Sequence, residues 1–358
     1  MLLRKILQLA PIVIVLIGVN YFVDPSHLFS KGRYEAGLAQ LLRSGYNVAN
    51  VSNYNERLVQ KYYISSLALP NETVVLGSSR SMQIGADLFG GKSFFNNSVS
   101  DATLEDYLAI YEMYHRRNLK PALLILELDP WLFRVGRTPN PVYWLSIKDD
   151  YERLACRAGL PDKKEAQAWL YAKAIGLRYS TLISPSYFQV AIHQIFRTLK
   201  NGEKFCYVPT GQTLDHYAMR LKDGSLRYGQ AMRVASVSSV RAAAETEAFQ
   251  YQPDVPAMSE TAQTKFEKFV KVAKHDGVRV IFFLPPFHPD YYGHLRQSGL
   301  LGEFSKAEDY YRRLALEDGI VVLGSFDPQK CSCGEEDFYD ALHPKPSAVI
   351  KIFRNFSP

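Results

Sequence analysis

Cysteine is scarce: Cys156, Cys206, Cys331 and Cys333 are the only four in 358 residues. That is too few for a disulfide scaffold, although one or two bridges in an oxidising compartment would fit. Cys331-Ser-Cys333 is not a zinc spacing, and with His343 it forms no second well-spaced pair, so neither a metal site nor a cofactor is expected. Also missing is any block of Lys or Arg. The net charge of +6 is dispersed along the chain, which gives a weak preference for anionic surfaces and argues against nucleic acid as a partner. Low-complexity tracts and short internal repeats are absent. With 47% hydrophobic residues, the chain can fill one large core or two smaller ones.

One long apolar run is present at the amino terminus, where Ile6–Val23 (ILQLAPIVIVLIGVNYFV) carries no charge. As a helix rising about 1.5 Å per residue it would reach roughly 27 Å, close to the bilayer core of about 30 Å. Arg4 and Lys5 precede it and Asp24 follows, which favours a cytoplasmic amino terminus. Asn20, Tyr21 and Phe22 do not supply a small-x-small cleavage pattern. The expectation is a cytoplasmic stretch at 1–5, an uncleaved single-pass anchor in membrane lipid at 6–23 and a membrane-proximal, partly helical linker at 24–72. An extracytoplasmic body, in a periplasm or on an outer face, would occupy 73–358. A cleaved signal peptide is the competing reading of the apolar run, and a buried core helix is weaker still, because the segment is terminal and apolar all round.

Five further apolar runs punctuate the body: TVVLGSS (73–79), KSFFNNS (92–98), ALLILELDP (122–130), VRVIFFLPP (278–286) and GIVVLGSF (319–326). Helical periodicity fills the gaps at 104–119, 261–277 and the stretch before the fifth run. Strands alternating with helices imply an α/β fold, a three-layer α/β/α sandwich around a parallel five-stranded sheet. Between about 135 and 258 the alternation lapses into a largely helical insertion after strand 3, with Asp223-Gly224 placed for a hairpin turn.

Chemistry is expected at two remote places. The first strand delivers Gly77-Ser78-Ser79-Arg80 at its carboxyl end, the rim where open α/β sheets hold ligands. Far along the chain, Asp340 precedes His343 by three residues. A carboxylate steering one imidazole nitrogen, while the other takes a serine proton, is what hydroxyl nucleophiles need.

With these blocks the chain resembles the SGNH (GDSL-like) hydrolase superfamily, whose fold is the flavodoxin-like sandwich expected above. Gly77-Ser78-Ser79 would stand for Gly-Asp-Ser, and Asn96-Asn97-Ser98-Val99-Ser100-Asp101-Ala102-Thr103 is similar to the family's second block. The resemblance implies Ser79 as nucleophile, Asp340 and His343 as its relay, and the backbone N–H groups of Ser79 and Asp101 as the oxyanion hole. Trp131 stands where the family's oxyanion asparagine would be. Together with Asp129-Pro130-Trp131 it points to a membrane-anchored subgroup that includes the D-alanine transfer proteins of teichoic-acid D-alanylation and alginate O-acetylation proteins. Such relatives imply an acylated cell-envelope polymer or acyl donor as substrate and a multi-pass membrane O-acyltransferase as partner.

Each residue also has a plainer use. Ser79 could cap the next turn, His343 could be a surface-loop histidine, and Trp131 could pack in the core. Arg80, Asn97, Trp131 and His288 are candidates for substrate contact, with a salt bridge to Asp101 as the plain use of Arg80 and a rigid proline-rich loop as that of His288. The functional expectation is a serine esterase or O-acyltransferase acting on ester-linked acyl groups of an envelope polysaccharide or polymer. The alternative is a catalytically silent SGNH-like scaffold serving an acylation machine.

Overall fold

A computed structural model describes residues 2–51, 53–161, 164–201, 207–250 and 258–356. The chain opens with α1 (Leu2–Val23), α2 (Arg33–Arg43), β1 (Asn47–Ala49) and α3 (Glu56–Ser66). It continues through β2 (Thr73–Leu76), β3 (Phe94–Asn96), α4 (Leu104–Arg116) and β4 (Leu123–Glu127). The middle holds α5 (Pro141–Trp144), α6 (Lys148–Arg157), α7 (Lys164–Ser180), α8 (Pro185–Asn201), β5 (Val208–Thr210), β6 (Met219–Arg220), β7 (Leu226–Arg227), α9 (Gln230–Arg233) and α10 (Val237–Gln250). The last part comprises α11 (Glu260–His275), β8 (Arg279–Leu284), α12 (Pro289–Gln297), α13 (Leu301–Asp318), β9 (Val321–Gly324) and α14 (Pro346–Phe353).

All five apolar runs become strands of one parallel sheet, ordered β3-β2-β4-β8-β9. Alternate residues of each strand face opposite ways, so the sheet feeds two cores. Val74, Leu76, Leu124, Leu126, Val280 and Phe282 share one cluster with Tyr107, Phe266, Phe269 and Tyr311 of α4, α11 and α13. Val75, Ile125, Ile281 and Phe283 meet Val349 and Phe353 of α14 on the other side. Helices thus cover both faces, consistent with the expected α/β/α layering. The clean crossovers follow from local signals: Thr103 and Asp106 close a capping box on α4, and left-handed Gly319 ends α13.

A second, antiparallel sheet ordered β5-β1-β6-β7 was not anticipated. It joins the stretch before the main sheet to the middle of the chain, and its β6–β7 hairpin turns at Asp223-Gly224 with Gly224 at φ +80°. Two- and three-residue strands are too short for period-2 patterning to be read. Of the cysteines, Cys156 is an exposed free thiol and Cys331 and Cys333 are buried free thiols. Cys206 lies outside the described residues.

The anchor is a correction. The amino-terminal helix forms, yet no helix among the described residues is long and apolar enough to cross a membrane. This overturns the transmembrane anchor over 6–23, and with it the single-pass membrane localisation with an extracytoplasmic body. The apolar run barely matches a bilayer core and is interrupted by Pro11 and Asn20. Asn20 is fully buried against protein, its amide donating to the carbonyls of Thr181, Leu182 and Ser184 at 2.9–3.2 Å.

Candidate active site

The site starts where β2 ends. Gly77 follows the strand, and a Cβ there would collide with Ser81 Oγ and with the Glu127 side chain, so only glycine lets the chain pass this close. Its carbonyl accepts from the Val99 N–H at 3.0 Å, tying the turn to the loop after β3. Ser78 then caps a short 3₁₀ turn over Ser79–Ser81, its hydroxyl accepting from Arg80 N–H at 3.2 Å. That leaves Ser79 half-buried at the rim with its hydroxyl unclaimed by the turn.

Ser79 Oγ lies 2.8 Å from His343 Nε2. The opposite ring nitrogen, Nδ1, is 2.8 Å from Asp340 Oδ2 and 2.9 Å from Oδ1. Asp340 Oδ1 also accepts the backbone N–H groups of Leu342 and His343, each at 2.8 Å. Burial works against the Asp340 carboxylate, but the hydrogen bond and charge of His343, with the two N–H groups, outweigh it and hold its pKa below the usual value. Three residues separated by up to 264 positions therefore form one hydrogen-bonded line.

Arg80 is the brace of this line. It is 1% exposed. Its Nε donates to the Leu342 carbonyl at 2.9 Å, Nη1 to Asp129 at 2.6 Å, and Nη2 to the Pro285 and Pro286 carbonyls at 2.8 and 2.9 Å. Phe287 and Trp131 lie against the guanidinium, with ring centroids at 4.3 and 5.5 Å. The expected substrate role of Arg80 is thus replaced by a structural one, and its partner is Asp129 rather than Asp101. Trp131, half-buried, packs on this brace and on Phe287.

Asn97 and His288 are likewise corrected. Asn97 is fully buried, donating to Gln60 at 2.6 Å and accepting from Tyr114 at 2.7 Å. His288 is fully buried too, and its N–H holds the Ala341 carbonyl at 3.0 Å within the Asp-x-x-His loop. Burial lowers its pKa, against the raising charges of Asp290 and Glu335. Its ring, with Asp290 and Glu335, offers ligand atoms within 4.8 Å of one another. The Arg241 guanidinium already supplies the cation there, 2.6 Å from Glu335 and 3.5 Å from Asp290.

Asp101 adopts a left-handed backbone, φ 50°, and its exposed carboxylate pairs with Arg137 at 2.8 Å. Among the described residues, neither the Ser79 N–H nor the Asp101 N–H donates to a protein acceptor. Asn96 cannot stand in for a missing side-chain donor, because its amide is spent on the Ser81 and Ile84 carbonyls.

Four nearby residues were not foreseen. Glu127, wholly buried behind Gly77, bonds the Ser78 N–H at 2.5 Å and is pushed far up in pKa by burial and by Asp129. Acidic residues inside an otherwise apolar strand were the available signal for both. Tyr228 stands with its ring centroid 6.3 Å from that of His343. Glu247, from α10, is raised by burial and then by the charge of Asp340. Nothing local in the sequence marks these last two, which reach the site from the middle of the chain.

A family model described as a protein of unknown function, DUF1574, matches residues 71–349. The chain belongs to this family. The match spans everything from just before β2 to α14, so the DUF1574 region contains Ser79, Arg80, Asp129, Asp340 and His343 together. None of the curated proteins compared with the chain matches it.

Proposed function

We propose that this DUF1574 protein is a serine esterase or O-acyltransferase of SGNH type. The observation that carries the reading is the 2.8 Å contact between Ser79 Oγ and His343 Nε2, with Asp340 on the far nitrogen. Ser79 Oγ attacks the acyl carbonyl and passes its proton to His343 Nε2. The tetrahedral oxyanion is held by the backbone N–H groups of Ser79 and Asp101. Its collapse breaks the ester C–O bond, and His343 returns the proton to the departing alkoxide. Water or a second alcohol then attacks the acyl-serine, giving its proton to His343, and the hydroxyl of Ser79 is restored. The substrate is an acyl ester of a hydroxylated polymer. Its assignment to a cell envelope, and a membrane acyltransferase as partner, came from the resemblance to membrane-anchored relatives; with the anchor overturned, neither is carried forward.

The test is labelling of the purified chain with a fluorophosphonate. Ser79 should be the modified residue, and Ser79→Ala should abolish the label; equal labelling of both proteins refutes the mechanism. The scaffold reading gains from Trp131 at the asparagine position and from Asn96 and Asn97 being committed elsewhere. Lacking one oxyanion donor costs roughly 10²–10³ in turnover, so a folded protein that takes no label in hours favours that reading.

A further inference from the structure

On the Asp101 side of the triad lies a cleft of about 320 Å³. Its walls come from Asn53, Tyr54, Glu56 and Arg57, from Ser100 and Asp101, and from Asn140 and Tyr143. Such a volume is at the lower end of the roughly 300–1,000 Å³ typical of small-molecule sites. The loop after β3 joins cleft and triad: Ser100 and Asp101 in the cleft wall follow Val99, whose N–H donates at 3.0 Å to the carbonyl of Gly77, two residues before Ser79.

Every charge in the cleft is already matched. Arg57 is forked onto Asp106, Nε–Oδ1 and Nη2–Oδ2 both at 3.0 Å. Glu56 accepts from Arg220 and from the Ser100 N–H, and Asp101 is paired with Arg137. An anion finds no spare guanidinium, and a cation no spare carboxylate. What remains is neutral. The Asn53 amide, the Asn140 Nδ2, the Ser100 hydroxyl and the Tyr143 hydroxyl have no protein hydrogen-bond partner among the described residues, while Asn140 Oδ1 caps Val142 at 3.0 Å. The Tyr143 ring faces Arg57, 5.9 Å from centroid to guanidinium carbon. An aromatic ring beside uncommitted amides and hydroxyls suits the C–H face and hydroxyl edge of a pyranose.

We infer that this cleft is a subsite for a neutral sugar unit, the alcohol half of the ester whose acyl carbonyl meets Ser79. The inference rests on the serine-esterase reading for its chemistry but not for its binding, and two measurements keep them apart. In the first, Ser79→Ala protein is titrated with cellotetraose, maltotetraose, chitotetraose and inorganic phosphate by isothermal calorimetry. At least one tetrasaccharide should bind, phosphate should not, and Tyr143→Ala or Asn140→Ala should weaken saccharide binding about tenfold. In the second, kcat/KM is compared between an acetylated tetrasaccharide and p-nitrophenyl acetate, and the ratio should fall about tenfold in the same variants. Saccharide binding that depends on Tyr143 in a protein whose Ser79 takes no fluorophosphonate sustains the cleft and sinks the esterase. An active enzyme whose ratio is unmoved in folded Tyr143→Ala and Asn140→Ala, failure of every tetrasaccharide to bind, or preferential binding of phosphate overturns the cleft.

Discussion

Replacing Asp340 by Asn should disable the relay while keeping its shape. Oδ1 accepts two backbone N–H groups as well as Nδ1 of His343, whereas Oδ2 faces only Nδ1. The amide oxygen must therefore take the Oδ1 position, which turns the NH₂ toward Nδ1. A donor there forces Nδ1 to accept, puts the ring proton on Nε2 and leaves no base for Ser79. The imidazolium formed during the reaction also loses its countercharge. Two unit charges about 4 Å apart at an effective dielectric near 20 attract by about 4 kcal/mol, or roughly 10³ in rate. The wrong tautomer adds to this, toward the roughly 10⁴ loss that this substitution causes in serine-protease triads. The assay is initial-rate turnover of p-nitrophenyl acetate alongside fluorophosphonate labelling, with thermal melting to verify the fold. Turnover by Asp340→Asn within tenfold of the parent would show that the His343–Asp340 contact has no part in the chemistry.

Arg80→Met removes four hydrogen bonds and leaves Asp129 beside Glu127 without a cation. Breaking such a buried pair costs about 3–5 kcal/mol, to be read as a lower urea midpoint, and an unchanged midpoint contradicts the brace. Gly77→Ala drives a methyl into Ser81 and Glu127, and overpacking of this kind should cost about 1–3 kcal/mol in the same titration. Glu127 has a folded pKa raised above its ordinary 4.5 by burial and Asp129. Its share of stability is complete below that value and shrinks as pH rises, because the folded chain holds the proton more tightly than the unfolded one. Glu127→Gln, which cannot lose a proton, should gain on the parent from about pH 4.5 upward in melting experiments, and a pH-independent difference would refute this. Asp340 has the opposite sign: its depressed folded pKa contributes stability above its ordinary 3.8 that is lost as acid protonates it. Asp340→Asn should therefore flatten the acid limb of the melting profile.

The parallel sheet was legible because β2, β3, β4 and nearly all of β8 are buried and so read as unbroken apolar runs, and the edge strand β9, though only partly buried, is apolar as well. Ser79 could be selected from its place after the first strand, and Asp340 and His343 from their three-residue spacing and the resemblance to the SGNH blocks, though only folding could show that they meet. Arg80 was misjudged for a definite reason. An arginine at a turn after a strand reads as an anion ligand, and nothing local reveals that four acceptors from three other segments close around it. Asn97 sits in a polar block, but its partners Gln60 and Tyr114 come from α3 and α4. The anchor failed because the stretch was judged on its apolar residues although its length is marginal and Pro11 and Asn20 interrupt it; the burial of Asn20 against Thr181 and Leu182 is a long-range fact. The small second sheet escaped because strands of two or three residues carry no period.

The guanidinium of Arg80 has a consequence for biosynthesis. Its acceptors lie at residues 129, 285, 286 and 342, so a nascent chain that has emerged only as far as the middle helices owns the serine and Asp129 but neither the imidazole nor the other three acceptors. On the proposed serine-esterase reading, activation of Ser79 would come late and all at once, when the final loop seats. Until then the hydroxyl is as inert as any other alcohol on the emerging polypeptide.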